Sequence, residues 1–328
     1  MIFHENESDF KDAIQATAQH LKIREIFIEK DYWVTYVLKQ LSESDLKDEV
    51  VFKGGTSLSK AFNLIQRFSE DIDLVLLDKE GLSGNQIKNK LKKIEKSLIV
   101  SPLLKDDSFK ESKGSKMRKT GYTYPKKLDG DYDFGHATDT LILELNAFAN
   151  PSPVIKKSIQ TYIAKFFKET EKEDFIPQYG LESFEVNVLN INRTFVEKVL
   201  SLARLSISDD ESYSNIKSKV RHFYDIHKLM RTSEVQGFIS SSEYESMLNL
   251  ALADDLSNPE FKDSWTGCNL SQVRLFTDLD NVLSNIESIF NNDFKSLLYG
   301  DEDINFEELK KTFAELVKVI PAIEVNKE

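Results

Sequence analysis

The sequence predicts an α/β protein of the α+β kind: a small mixed sheet flanked by helices, followed by a helical C-terminal domain. Three observations carry this. Short apolar segments, VVF (50–52), DIDLVLL (71–77), TLILELNAF (140–148) and SFEVNVLNI (183–191), alternate with helical stretches over the first ~190 residues. From about residue 194 only helical spacing recurs. Glu, Lys, Leu and Ile abound while Gly (12) and Pro (7) are scarce in 328 residues, which favours helices over Gly-rich repeats.

Apolar residues at 3–4 spacing (Phe10, Ile14, Ala18, Leu21, then Ile28, Trp33, Val37, Leu41) predict helices over 8–22 and 24–41. VVF then reads as a buried strand, with Gly54-Gly55 after it and a helix over about 57–65. DIDLVLL reads as a strand ended by Asp78 and Gly81. Residues 85–99 form an amphipathic pattern with Lys on its wet face. The segment 105–128 contains Gly114 and Gly121 and suits irregular strands or a hairpin. TLILELNAF is apolar on both faces except where Glu144 and Asn146 interrupt one, as in a buried strand carrying a polar site. Pro151 and Pro153 end it, and SFEVNVLNI supplies another strand. Helices are predicted over 194–207, 214–231, 241–256, about 276–299 and 305–319. A boundary near 190 divides the chain into domains 1–190 and 191–328.

Composition excludes several classes. With 22 Phe and 11 Tyr the chain has too much to bury to be disordered. One cysteine, Cys268, permits no intramolecular disulfide and no Cys-based zinc cluster. No apolar run reaches 18 residues, and the opening MIFHENESDF has no secretory pattern, so a cytoplasmic protein without a membrane span is expected. The net charge of −12 argues against nucleic-acid binding through the whole surface. One local exception exists: residues 109–128 hold seven basic side chains and only Glu111 as an acid. Within it Lys116, Arg118 and Lys119 are candidate RNA contacts.

The chemistry-bearing residues cluster early. Asp71 and Asp73, two apart on a strand, share one face about 6–7 Å apart. Two carboxylates flanked by apolar residues repel and lose hydration, which a bound Mg²⁺ relieves. Upstream, Lys53-Gly54-Gly55-Thr56-Ser57 joins strand to helix. Glycines let a phosphate approach the backbone, the helix start offers N–H groups, and Thr56 and Ser57 add hydroxyls. A lone DxD is commonly a solvated charge pair, and a lone GGTS a tight turn. Together they read as a triphosphate seat beside a metal site. Arg67 and Ser69 stand just before the DxD. Arg67 suits bidentate phosphate contact or neutralisation of Glu70, with nothing to choose between them.

These motifs, GGTSL-x-K followed by RFSEDIDL, resemble the signature of polymerase-β-type nucleotidyltransferases. More narrowly they resemble the AbiEii/AbiGii-type toxins, together with Glu29-Lys30-Asp31-Tyr32-Trp33 near the N-terminus. Fourteen residues separate Thr56 from Asp71, a spacing that suits the toxin group. The stretches FVEKVL from Phe195 and RHFYDIHKL from Arg221 resemble the family's later motifs. The resemblance spans roughly residues 25–230.

It implies a Mg²⁺-dependent enzyme, with two ions per site, that moves a nucleoside monophosphate from an NTP to an acceptor and releases pyrophosphate. It implies that Lys198 and Asp225 line the nucleotide side of the cleft. It also implies a third carboxylate beside the DxD. Glu144 is the best candidate, because a Glu in an apolar strand is costly unless paired or metal-bound; Asp131, Asp133 and Asp139 are weaker. The implied biology is a toxin of a toxin–antitoxin or phage-abortive system acting on RNA, at tRNA 3′ ends, with a separate antitoxin. The alternatives are an aminoglycoside-type adenylyltransferase with a small-molecule acceptor, and a catalytically inactive nucleotide-binding partner.

Overall fold

The computed structural model describes residues 1–69, 71–128, 140–208, 213–265 and 267–325. Glu70, Asp131, Asp133 and Asp139 lie outside the described residues. Two compact units divide the chain: 1–147, 153–189 and 298–302 form the first, and 148–152, 190–297 and 303–328 the second.

The first unit begins with α1 (Glu7–Leu21), whose N-cap Asn6 accepts a hydrogen bond from the Asp9 amide. Helix α2 (Glu25–Glu43) follows, and every residue from Ile26 to Leu38 is buried. An amphipathic stripe would bury about half of these. Full burial places α2 at the centre of the core, and its charged residues then need internal partners. Next come β1 (Val50–Lys53), α3 (Gly54–Lys60), β2 (Ile72–Leu76) and α4 (Gly84–Leu98). Helix α4 starts at a reciprocal capping box between Ser83 and Gln86. Helix α3 starts three residues before the expected Ser57 and stops at Lys60, so residues 61–69 form an irregular link on the way to β2.

Strands β3 (Leu104–Lys105), β4 (Ser112–Lys113) and β5 (Met117–Thr123) occupy the basic segment as the expected hairpin. Strand β6 (Leu141–Asn146) is TLILELNAF. Strand β7 (Val154–Ile159), α5 (Tyr162–Glu169) and α6 (Phe175–Tyr179) have no counterpart in the sequence expectations, and β8 (Phe184–Leu189) closes the unit. The pattern misses β7 because it is an edge strand whose VIKKSI carries adjacent lysines and buries only Ile159 fully.

The sheet order is β3-β5-β6-β2-β1-β8-β7, with β4 pairing β5. The sheet is mixed: β2·β6 and β1·β8 run parallel, while β1·β2, β5·β6 and β7·β8 run antiparallel. Val50, Phe52, Ile72, Leu74, Leu141, Leu143 and Leu145 join one core with α1, α2 and α4. Alternation sends Lys53, Asp73 and Glu144 to the opposite face.

The second unit is helical: α7 (Ile191–Ser208), α8 (Ser214–Lys217), α9 (Val220–Met230), α10 (Ser233–Ile239), α11 (Glu243–Ser257), α12 (Arg274–Thr277), α13 (Leu279–Asn291) and α14 (Phe306–Val319). A two-stranded ribbon, β9 (Cys268–Asn269) with β10 (Glu324–Val325), completes it. The helices expected over 214–231 and 276–299 are each broken, the first at Ser218-Lys219 and the second at Asp278 and after Asn291. The core holds Trp265 and the ring pairs Phe223–Phe313 and Phe290–Phe294. Among the described residues, no helix is long and apolar enough to cross a membrane.

Candidate active site

Strand register builds the site. In β1·β2, Lys53 lies opposite Asp73; in β2·β6, Asp73 lies opposite Glu144; in β5·β6, Glu144 lies opposite Lys119. Four neighbouring strands therefore set Lys53, Asp73, Glu144 and Lys119 in one row on one face. Neighbouring strands are about 4.8 Å apart, so cation, anion, anion and cation follow one another across the sheet. Lys119 Nζ reaches Glu144 Oε2 at 3.3 Å.

The electrostatics centre on Asp73. Burial, reinforced by the charges of Glu144 and Asp71, pushes its carboxyl up to about 7, against the pull of Lys53 and Lys119. Burial works against the Lys119 ammonium, but Glu144, Asp71 and Asp73 together hold its proton and raise it above the ordinary lysine value.

The glycines stand over this row. Gly54 has φ +80°, a left-handed backbone, and any Cβ there would collide with the Asp73 carboxylate. A Cβ on Gly55 would come within 2.5 Å of an Arg67 guanidinium nitrogen and 2.8 Å of Ser69 Oγ. The glycine pair thus lets the start of α3 approach both the carboxylates and the 67–69 segment. The hydroxyls are partly committed: Thr56 Oγ1 donates to Ser69 Oγ (3.0 Å) and Ser57 Oγ to the Gly54 carbonyl (2.9 Å). Arg67 is 2% exposed and donates to the Phe68 carbonyl (3.1 Å).

The basic segment corrects one expectation and divides the rest. Arg118 points to the core side of β5, where its Nε donates to Glu95 Oε2 (2.6 Å), and Tyr122 Oη donates to Glu95 Oε1 (2.7 Å). A buried guanidinium already held by a carboxylate is not a phosphate contact. Its neighbour Lys119 falls on the other face by alternation and joins the carboxylate row. Of the three candidate RNA contacts, Lys116, at the hairpin turn, is the one that is exposed.

In the second unit Lys198 on α7 and Asp225 on α9 face one another at 2.8 Å, both buried. The structure therefore brings this motif pair together, and separately brings together Asp71, Asp73 and Glu144 with the glycine pair.

Sequence reasoning missed Lys53. Its signal was present: it has the parity of Asp73's face and directly precedes the glycines. The role of Glu29-Lys30-Asp31 was also illegible. Lys30 Nζ donates to the Thr140 carbonyl (2.9 Å), and Glu29 Oε1 accepts from the Lys127 amide (2.6 Å). Asp31 pairs with Lys60 at the foot of α3 (2.6 Å) and accepts from the Tyr162 amide (2.8 Å). The motif thus ties the α3, β6 and α5 ends to the central helix.

Whether the row suits a metal can be judged from its donors. Among the described residues, no three His, Cys, Asp or Glu side chains are arranged to hold an ion by themselves. Mg²⁺ does not require that, since it is usually held by one or two carboxylates with substrate phosphates and water. Asp73, whose charged form is disfavoured by burial and by the charges of Glu144 and Asp71, is the kind of oxygen donor a divalent cation would stabilise. The residues fit.

The profile of a family described as nucleotidyl transferase AbiEii toxin, type IV toxin–antitoxin system, matches residues 36–317. The crystal structure of JHP933 from Helicobacter pylori is 17% identical, covering 90% of this chain and 92% of that chain with a TM-score of 0.45. The nucleotidyltransferase toxin MenT4 from Mycobacterium tuberculosis is 15% identical, covering 94% of this chain and 90% of that chain with a TM-score of 0.51, a likeness of fold. No curated protein matches the sequence significantly.

Proposed function

The chain belongs to the AbiEii family of nucleotidyltransferase toxins, and from that premise we propose that it transfers a nucleoside monophosphate from an NTP to an RNA acceptor, the 3′ end of a tRNA. The observation that carries the reading is the Lys53–Asp73–Glu144–Lys119 row beneath Gly54-Gly55. Charged groups are gathered there although folding alone gains nothing by placing two carboxylates side by side.

In this reading the triphosphate rests on Gly54, Gly55, Thr56 and Ser57, with Arg67 and Ser69 behind it. Asp71 and Asp73 would hold Mg²⁺, with Glu144 completing the acceptor side. Two bound Mg²⁺ ions supply charge neutralisation at the phosphates and a more acidic acceptor hydroxyl. Glu144 takes the hydroxyl proton as the oxygen attacks the α-phosphorus and pyrophosphate leaves. Lys119, ion-paired with Glu144, fixes where that carboxylate stands. The resemblance also implies a part for Lys198 and Asp225, although the two are buried in the second unit and paired with one another. The catalytic core in this reading is 1–190, and 191–328 a mainly helical domain that holds that pair.

An acidic protein needs a local cationic surface to hold RNA. Lys116 supplies part of it. Helix α4 supplies more: Lys88, Lys92 and Lys96 recur every four residues on its exposed side, and its one acid, Glu95, is turned inward onto Arg118. A type IV toxin–antitoxin family also implies a cognate antitoxin, and the chain is expected to act in the cytoplasm.

The test is incubation with each of four α-labelled NTPs, Mg²⁺ and total RNA. Label in tRNA-sized RNA, absent from the Asp73→Asn protein, supports the reading. Label confined to a small molecule would replace the RNA acceptor, and NTP binding without any transfer would replace the enzyme.

A further inference from the structure

Five residues from the C-terminal half, 298–302, belong to the first unit. They dock on the link between α3 and Asp71. Leu298 forms an isolated antiparallel bridge with Arg67. The Tyr299 amide donates to the Gln66 carbonyl (3.1 Å), and the Gly300 amide to the Lys22 carbonyl (3.0 Å). Tyr299 Oη donates to the Ile65 carbonyl (3.3 Å) and lies 2.8 Å from Tyr162 Oη. Asp301 pairs with Lys22. The Tyr299 ring packs against the main core.

The gripped link needs such support. Residues 61–69 and Asp71 belong to no helix or sheet strand, yet they deliver Arg67 and Ser69 to Gly55 and Thr56, and Asp71 to the metal side. Each residue of an irregular link fixed in one conformation costs about 1–2 kcal/mol of backbone entropy. A misplacement of about 1 Å in such a site can lower a rate about 100-fold. The strap satisfies the carbonyls of Ile65 and Gln66 from one side. Tyr162, its hydroxyl partner, is fixed by Asp31, which also holds Lys60 at the end of α3. Both ends of the phosphate-facing stretch, α3 and residues 65–67, are thereby referred to the same buried anchor.

We propose that Tyr299 is a positioning residue for the nucleotide site: through Ile65 and Gln66 it sets where Arg67, Ser69 and Asp71 stand. The inference rests on the nucleotidyltransferase reading. Its test compares the wild type with Tyr299→Phe, which keeps the ring, and Tyr299→Ala, which removes it. Two quantities are read: amide hydrogen exchange of the 62–71 peptide against that of α4, and the Kd of each α-labelled NTP with Mg²⁺. Tyr299→Ala is expected to speed exchange in 62–71 while leaving α4 protected, and to weaken NTP binding about tenfold or more. Tyr299→Phe, losing one hydroxyl, is expected to weaken it about threefold.

A folded Tyr299→Ala protein with the wild-type Kd overturns the proposal, even if exchange rises, because the strap would then serve stability alone. Unchanged exchange at 62–71 overturns it as well. Should the Ala variant not fold, unchanged Kd and exchange in the Phe variant are decisive against it. A wild type that binds none of the four NTPs removes the nucleotidyltransferase reading and the positioning role together, whereas NTP binding equal in wild type and variants removes only the latter.

Discussion

Two clusters of Lys, Asp and Glu lie in the first unit and are built in opposite ways. Around α2, each charge has a fixed partner: Asp31 has Lys60 and the Tyr162 amide, Lys30 has the Thr140 carbonyl, and Glu29 has the Lys127 amide. On the sheet face away from that core, two carboxylates are neighbours, a third adds to their repulsion, and the flanking lysines only partly offset it. The first cluster is closed and holds segments in place. The second is left in tension that a cation and a polyphosphate would relieve. Residue type does not separate structure from chemistry here; completeness of pairing does.

The contrast breaks most sharply at Asp73. Asp73→Asn is expected to lower transfer by about 1000-fold or more, the loss typical of removing charge stabilisation at a reacting centre, and to leave thermal stability equal or higher. A variant with substantial activity, or one that unfolds, would assign Asp73 to the closed kind. Conversely, Asp31→Ala should cost about 3–5 kcal/mol of stability by stranding Lys60 in the core. Replacing both members of the pair, as Asp31→Leu with Lys60→Met, should recover most of that loss in a denaturant titration.

The pH dependence sharpens the same distinction. Asp73 has a folded value near 7, above its unfolded value, so the folded protein binds the extra proton more tightly. Its stabilising effect is full at low pH and is lost as pH rises through about 7. In chelator, the Tm of the wild type should fall from pH 6 to pH 8, while that of Asp73→Asn should not. Equal slopes would mean that neither burial nor the neighbouring carboxylates raise Asp73.

The smallest expected effect concerns RNA. Charge reversal of Lys88, Lys92 and Lys116 should flatten the log–log salt dependence of RNA binding by about 2–3 units, with NTP affinity intact. Arg118→Met should lower stability and leave that slope unchanged. The opposite pattern would return Arg118 to the RNA surface.

Much of this was legible in the sequence. Alternation gave β2 and β6, the Glu144 interruption marked the strand that turned out to pair with Asp73's strand, and the glycine pair and the DxD, picked out together, do lie against one another. What failed did so for identifiable reasons. Counting charge over 109–128 ignored the period of two that sends Arg118 inward and Lys119 to the row. Glu95, the partner that makes Arg118 structural, is 23 residues away and reads as one more charge on a wet helix. Edge strand β7 lacks alternation because one of its faces has little to bury. The α2 charges look like an exposed face because no local pattern reveals that the helix is surrounded. The 298–302 strap is held mainly by backbone atoms, which leave no side-chain signature.

That strap carries a consequence for the order in which the molecule is made. Every side chain of the carboxylate row, and the last strand of its sheet, has been synthesised by Leu189. The residues that brace the approach to Asp71 arrive more than a hundred positions later. A growing chain therefore carries the whole Lys53–Asp73–Glu144–Lys119 row well before it carries the strap that grips residues 65–67.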